Sequence, residues 1–151
     1  MSTYANIYTG DVNSGYQDGV IVSEGHSLTS PIITFFTVTK NRSTEYNVIK
    51  CAIRCVGGYE TFGPTAITAY KYSNGVYSPD TSGTWMFCVD NNYVDGTDAL
   101  KQGTWLTAIS IVDVIYNVNT IFWVKTSANI NETTGIDTSI AIYHQEAVNL
   151  A

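Results

Sequence analysis

Three runs near the end of the chain decide the fold: GTWLTAISI (103–111), TIFWVKTSA (120–128) and IDTSIAIYH (136–144). Each is short and rich in β-branched and aromatic residues, and each is bounded by Gly, Asn, Asp and Thr. In the middle run Phe122, Val124, Thr126 and Ala128 share one face, and Trp123, Lys125 and Ser127 the other. Such period-2 order predicts strands with one face in a core. It also singles out Trp123 and Lys125 as an outward pair that a self-contained domain does not obviously need.

The same reading extends outward from this region. Tyr46 to Val56 alternates Ile49, Cys51, Ile53 and Cys55 against Lys50, Ala52 and Arg54, and Gly57-Gly58 ends it. Short extended pieces are predicted at Ile7–Thr9, Val20–Val22, Pro31–Val38, Thr65–Tyr72 and Trp85–Val89. Ser73-Asn74-Gly75 supplies an Asn-Gly turn, the strongest local hairpin signal. Helical periodicity is weak; one turn at most is expected at Asp98–Gln102. Strands this closely spaced, with turn chemistry between them, predict an all-β antiparallel sandwich of seven to nine strands at residues 26–151. Residues 1–25 carry several glycines and tyrosines and little apolar mass. They read either as irregular first strands or as an extended N-terminal arm reaching a neighbouring subunit.

Composition narrows the function. The chain has 7 Lys+Arg against 13 Asp+Glu, a net charge of −6. That balance disfavours phosphate backbones and anionic membranes as partners, so neither nucleic acid nor membrane is expected. At 44% hydrophobic and only 13% charged residues, the chain is predicted to fold rather than stay disordered. The first residues have no basic start and no apolar run of signal-peptide length, so synthesis and folding in a cytoplasm are expected.

Catalytic patterns are weak. Cys51 and Cys55 would lie about 13 Å apart on a strand, too far to bridge, and Cys88 makes the count odd. All three read as buried thiols. His26 has no patterned partner, and His144, followed by Gln145 and Glu146, reads as a solvated strand end. No serine sits in a nucleophile-elbow setting, and there is no phosphate-binding glycine loop. The expectation is a protein that is not an enzyme and has no cofactor. Asp90, Asn92, Asp95 and Asp98 crowd one loop with oxygen ligands suited to Ca²⁺, but Val94 stands where another oxygen is needed. The alternative is that these side chains cap their own backbone. Asn41-Arg42-Ser43 and Asn131-Glu132-Thr133 match the glycosylation acceptor and mark surface loops.

Eleven tyrosines and three tryptophans remain. Tyr59, Tyr70, Tyr72 and Tyr77 crowd the middle of the chain. Trp123 with Lys125, and Tyr4, Tyr8 and Tyr16 in the first segment, are the candidate interface residues, since outward aromatics anchor interfaces or form sugar platforms.

The stretch Trp105–Tyr143 resembles the E, F and G strands of fibronectin type III and other Ig-like sandwiches. VIKCAIRCVGG (48–58) resembles their B strand, and Ala66–Tyr72 their C strand. The whole chain resembles small virion proteins of bacterial viruses that carry Ig-like folds, through ANIYTGDVNSGYQDG (5–19), IRCVGGYET (53–61) and NTIFWVKTSANINETTGIDTSIAI (119–142). That resemblance implies a structural protein, decorating a capsid or belonging to a head fibre or tail, whose partners are copies of itself and other virion proteins. Its implied location is the virion. The alternatives are an adhesion module whose partner is a host-surface glycan, and a subunit of a filament on the bacterial cell surface.

Overall fold

The computed structural model describes residues 4–24, 34–36, 44–129, 135–137 and 140–151, which form eleven strands and one short helix. The expected sandwich is present as two antiparallel sheets. The first is built around β4 (Thr44–Cys55) and β9 (Thr120–Asn129), paired from Thr44 opposite Asn129 to Ile53 opposite Thr120. β1 (Ala5–Thr9) and β2 (Val20–Glu24) extend it on one side and β7 (Trp85–Val89) on the other, giving the order β2-β1-β4-β9-β7. In the second sheet β5 (Tyr59–Ser73) is flanked on one side by β11 (Ile140–Leu150). On its other side it has β6 (Val76–Pro79) and β8 (Ala108–Ile111). β3 (Thr34–Phe36) and β10 (Gly135–Asp137) pair separately.

Alternation explains the main core. Cys51 and Ile53 on β4 and Phe122 and Val124 on β9 meet Ile67 and Ala69 of β5 and Ile142 of β11 between the sheets. The opposite face of the first sheet is covered as well. Ala52, Ile121 and Trp123 pack there with Cys88, with Val12 from the 10–19 loop and with Ala99 of α1 (Gly96–Gln102). α1 is longer than the single turn expected. Asp95 caps it by accepting from the Asp98 N–H at 2.9 Å, and the Gly103 N–H closes it on the Ala99 carbonyl at 2.8 Å.

The chain crosses between sheets at Gly57-Gly58, where Gly58 has φ of 91°. The Asn74-Gly75 turn forms as expected, with φ of 52° and 80°, the two positive values a type I′ hairpin needs. One side of the sandwich is closed. Phe87 of β7 exchanges two backbone hydrogen bonds with Leu106, and the chain then runs into β8 on the edge of β5.

One expectation is resolved and two change. Of the two readings of the first segment, the described residues take the one of irregular first strands: β1 lies between β2 and β4 with Ala5 and Ile7 fully buried, and the 10–19 loop joins β1 to β2. Their loop is tied down by Asn119, which donates to the Asn13 carbonyl at 3.0 Å and the Asp18 carboxylate at 2.6 Å. Arg54 donates at 2.7 Å to both the Asp18 carbonyl and Asn119. Hydrogen bonds from Asn13 first, and from Asn119, hold the Asp18 carboxyl below its ordinary range. Second, the strand equivalences implied by the Ig-like resemblance do not transfer. B and F strands of such domains lie in opposite sheets, whereas β4 and β9 are neighbours in one. Third, His144 does not end its strand. β11 runs on to Leu150, so alternation carries His144 inward with Ile142, and it is buried. His26, both glycosylation-like triplets and the Ala128 side chain lie outside the described residues.

Candidate assembly interface

The outer face of β9, where the sequence puts Trp123 and Lys125, is roofed. Trp123 is 3% exposed, its indole N–H donates to Asp90 Oδ1 at 2.9 Å, and Tyr93 meets its ring edge-on. Lys50 sits over the same indole, 5.8 Å from its centroid. The Lys125 ammonium lies between two rings, 5.0 Å from Trp105 and 5.1 Å from Tyr46. Desolvation first of all pulls its pKa below the usual lysine value. Trp123 is therefore a core residue and Lys125 a cation clamped on aromatic faces. Alternation says which face a residue takes, but not whether a helix covers that face.

The carboxylates of the acidic loop hold its own backbone and the Trp123 indole. Asp90 Oδ1 accepts from Trp123 and from the Tyr93 N–H, Asp95 caps α1, and Asp98 accepts from the Val94 N–H and from the Gln102 amide. Asn92 takes a left-handed turn conformation with φ of 57°. Among the described residues no group of three or more His, Cys, Asp or Glu is placed to hold a metal. These carboxylates do the backbone capping that is the other expectation for this loop.

The three cysteines are free and buried. Burial pushes all three thiols up, Cys55 to about 11 with help from the Glu146 and Glu60 charges. At pH 8 the thiolate fraction at Cys55 is then about one in a thousand. Native protein is expected to resist iodoacetamide at pH 8 for hours and to label three times once denatured, read by intact mass. Rapid native labelling of any one cysteine would contradict this.

One group of exposed apolar side chains lies elsewhere, at the end of the sandwich where β4 passes into β5. The Val56 N–H donates to the Tyr4 carbonyl at 2.9 Å, the Cys55 N–H to the Tyr116 carbonyl at 2.7 Å, and the Ala151 N–H to the Gly58 carbonyl at 2.9 Å. These bonds gather Tyr4, Val56, Tyr59, Tyr116 and Leu150 at one end. Tyr4 is 47% exposed and stacks on Tyr59, with centroids 4.4 Å apart; Leu150, opposite Tyr59 in the register, is 78% exposed. Val56, Val114 and Tyr116 are also exposed. The stretches 55–62, 111–119 and 147–151 that build this end contain Glu60 and Asp113 and no Lys or Arg.

Of the tyrosines singled out in the sequence, Tyr4 belongs to this end face. Tyr8 is packed under Arg54, 3.5 Å from the guanidinium carbon to the ring centroid, and Tyr16 is exposed on the 10–19 loop. Val56, Tyr116 and Leu150 were not anticipated: they come from three distant stretches, and nothing local marks them. The opposite end of β5 carries the β5–β6 hairpin. Its Tyr72 and Tyr77 rings lie 5.0 Å apart, Tyr72 and Val76 are exposed, and Lys71 is its one charged residue between positions 70 and 79.

No protein-family model, curated protein or solved structure matches this chain.

Proposed function

We propose that this chain is a structural protein of a bacterial virus particle, a capsid-decorating, head-fibre or tail-associated subunit that works by protein–protein assembly rather than catalysis. The observation that carries assembly is the end face of Tyr4, Val56, Tyr116 and Leu150, apolar side chains gathered in water at one end of the sandwich. The virion setting rests on the sequence resemblance alone. Tyr4, Val56 and Leu150 are 47%, 43% and 78% exposed, so covering them against a partner contributes about 2.5–5 kcal/mol, while association costs about 4–15 kcal/mol. A face of this size therefore binds best where copies are held close together, as they are on a repeating particle.

Size-exclusion chromatography with light scattering, over a hundredfold range of concentration, tests the reading. Mass that rises with concentration, or co-sedimentation with phage particles stripped of their decoration, is the expected result. A monomer at every concentration that also binds glycans on an array would replace this reading with that of a host-surface adhesion module.

A further inference from the structure

We propose that the end face receives the β5–β6 hairpin tip of a second copy, so that copies join head to tail. This rests on the assembly reading and names the partner surface. β5 spans fifteen residues and touches both surfaces: it begins at Tyr59 in the end face and ends at Ser73, beside the Asn74-Gly75 turn. At about 3.3 Å per residue, less the bulge around Gly63, the two lie roughly 40 Å apart, at opposite ends of β5.

Charge selects this pairing among the three available. Among the described residues, positions 70–79 of the tip carry Lys71 and no carboxylate, and the stretches 55–62, 111–119 and 147–151 of the end face carry Glu60 and Asp113 and no Lys or Arg. Tip against tip would bring Lys71 against its own copy. Face against face would bring the carboxylates together, in a chain whose net charge is already −6. Only tip against face sets opposite charges side by side and buries apolar groups on both partners: Tyr72 and Val76 on one, Tyr4, Val56 and Leu150 on the other. The tip is also a narrow ribbon that turns in two residues, Asn74 and Gly75, both with positive φ. A contact between two different surfaces of one chain repeats rather than closing on itself, and generates a ring or a filament.

The test uses the full chain and light scattering. Val76→Asp blocks the tip and Leu150→Asp blocks the face; both side chains are exposed, and circular dichroism melts should match wild type. Each variant alone is expected to stay monomeric. An equimolar mixture is expected to form a dimer that does not grow, because each copy then offers one competent surface. Lys71→Glu should weaken self-association at least tenfold, Lys71→Glu with Asp113→Lys should restore it, and added salt should weaken wild type but not abolish it. If wild type assembles and Val76→Asp assembles equally well, the tip is not the partner and the head-to-tail contact is overturned while assembly stands. If wild type remains a monomer throughout, the head-to-tail contact falls, and the assembly reading falls with it when stripped phage particles also fail to bind the chain.

Discussion

Trp123→Ala is expected to lower the melting temperature by roughly 10 °C and leave the oligomeric state below the melt unchanged. The indole fills the space between the outer face of β9 and its cover, against Ala52, Ile121, Cys88 and Ala99. Truncating a buried tryptophan costs about 3–5 kcal/mol, because the surroundings close only partly over the cavity. For a domain of this length each kcal/mol moves the midpoint by about 2–4 °C. The Asp90 carboxylate also loses the indole N–H, although the Tyr93 N–H remains to it. Trp123→Phe keeps most of the volume and should lose about half as much. A thermal melt by circular dichroism and light scattering on the same samples separate the two roles. A variant that melted like wild type but changed its mass would return Trp123 to the interface that strand alternation first suggested.

The different fates of these residues show what was legible in the sequence. Cys51, Ile53, Phe122 and Val124 were readable as core because side-chain alternation is a local property of a strand, and each lies between the sheets. The Asn74-Gly75 turn was readable because few residue pairs accept two positive φ angles. Strand order was not. β4 beside β9 and β1 beside β4 depend on pairings between stretches far apart in the chain, and a period of two is the same whichever neighbour a strand takes. Trp123 was placed on the correct face, but α1, whose helical signal is faint, covers that face. The end face has the least local signature of all. Tyr4, Val56, Tyr116 and Leu150 are each unremarkable in sequence, and they become a surface only because the backbones around Gly57-Gly58 converge.

The sandwich also shows why interaction is expected at its ends rather than on its broad faces. The first sheet is buried centrally on both faces, by the second sheet and by α1 with the 10–19 loop. The Phe87–Leu106 bridge closes one side. At the two ends of β5 large apolar side chains reach water in groups, Tyr72 with Val76 at one and Tyr4 with Val56 and Leu150 at the other, as Val89 with Leu106 and Val20 with Ile21 do at strand edges.

His144→Ala is expected to cost about 3–5 kcal/mol, among the largest losses from a single substitution in this chain. His144 Nδ1 lies 2.7 Å from Glu146 Oε2, with the two side chains 0% and 2% exposed. Opposite Glu146 the register jumps from Gln145–Ala66 to Ala147–Phe62, so β5 bulges around Gly63 while β11 continues. Deleting the imidazole leaves a buried carboxyl group without that contact, and breaking such a pair is far more costly than replacing it. His144→Leu with Glu146→Leu should therefore recover most of the loss, and urea denaturation of the single and double variants measures the difference. Glu146→Gln provides a second, independent readout. The Glu146 charge helps to raise the Cys55 thiol to about 11, with burial the larger cause, so removing that charge should lower the thiol pKa and speed alkylation of Cys55 without abolishing its protection. If His144→Ala proved as stable as wild type, the pair would not hold β11 in place, and the inward turn of two polar side chains on that strand would need another cause.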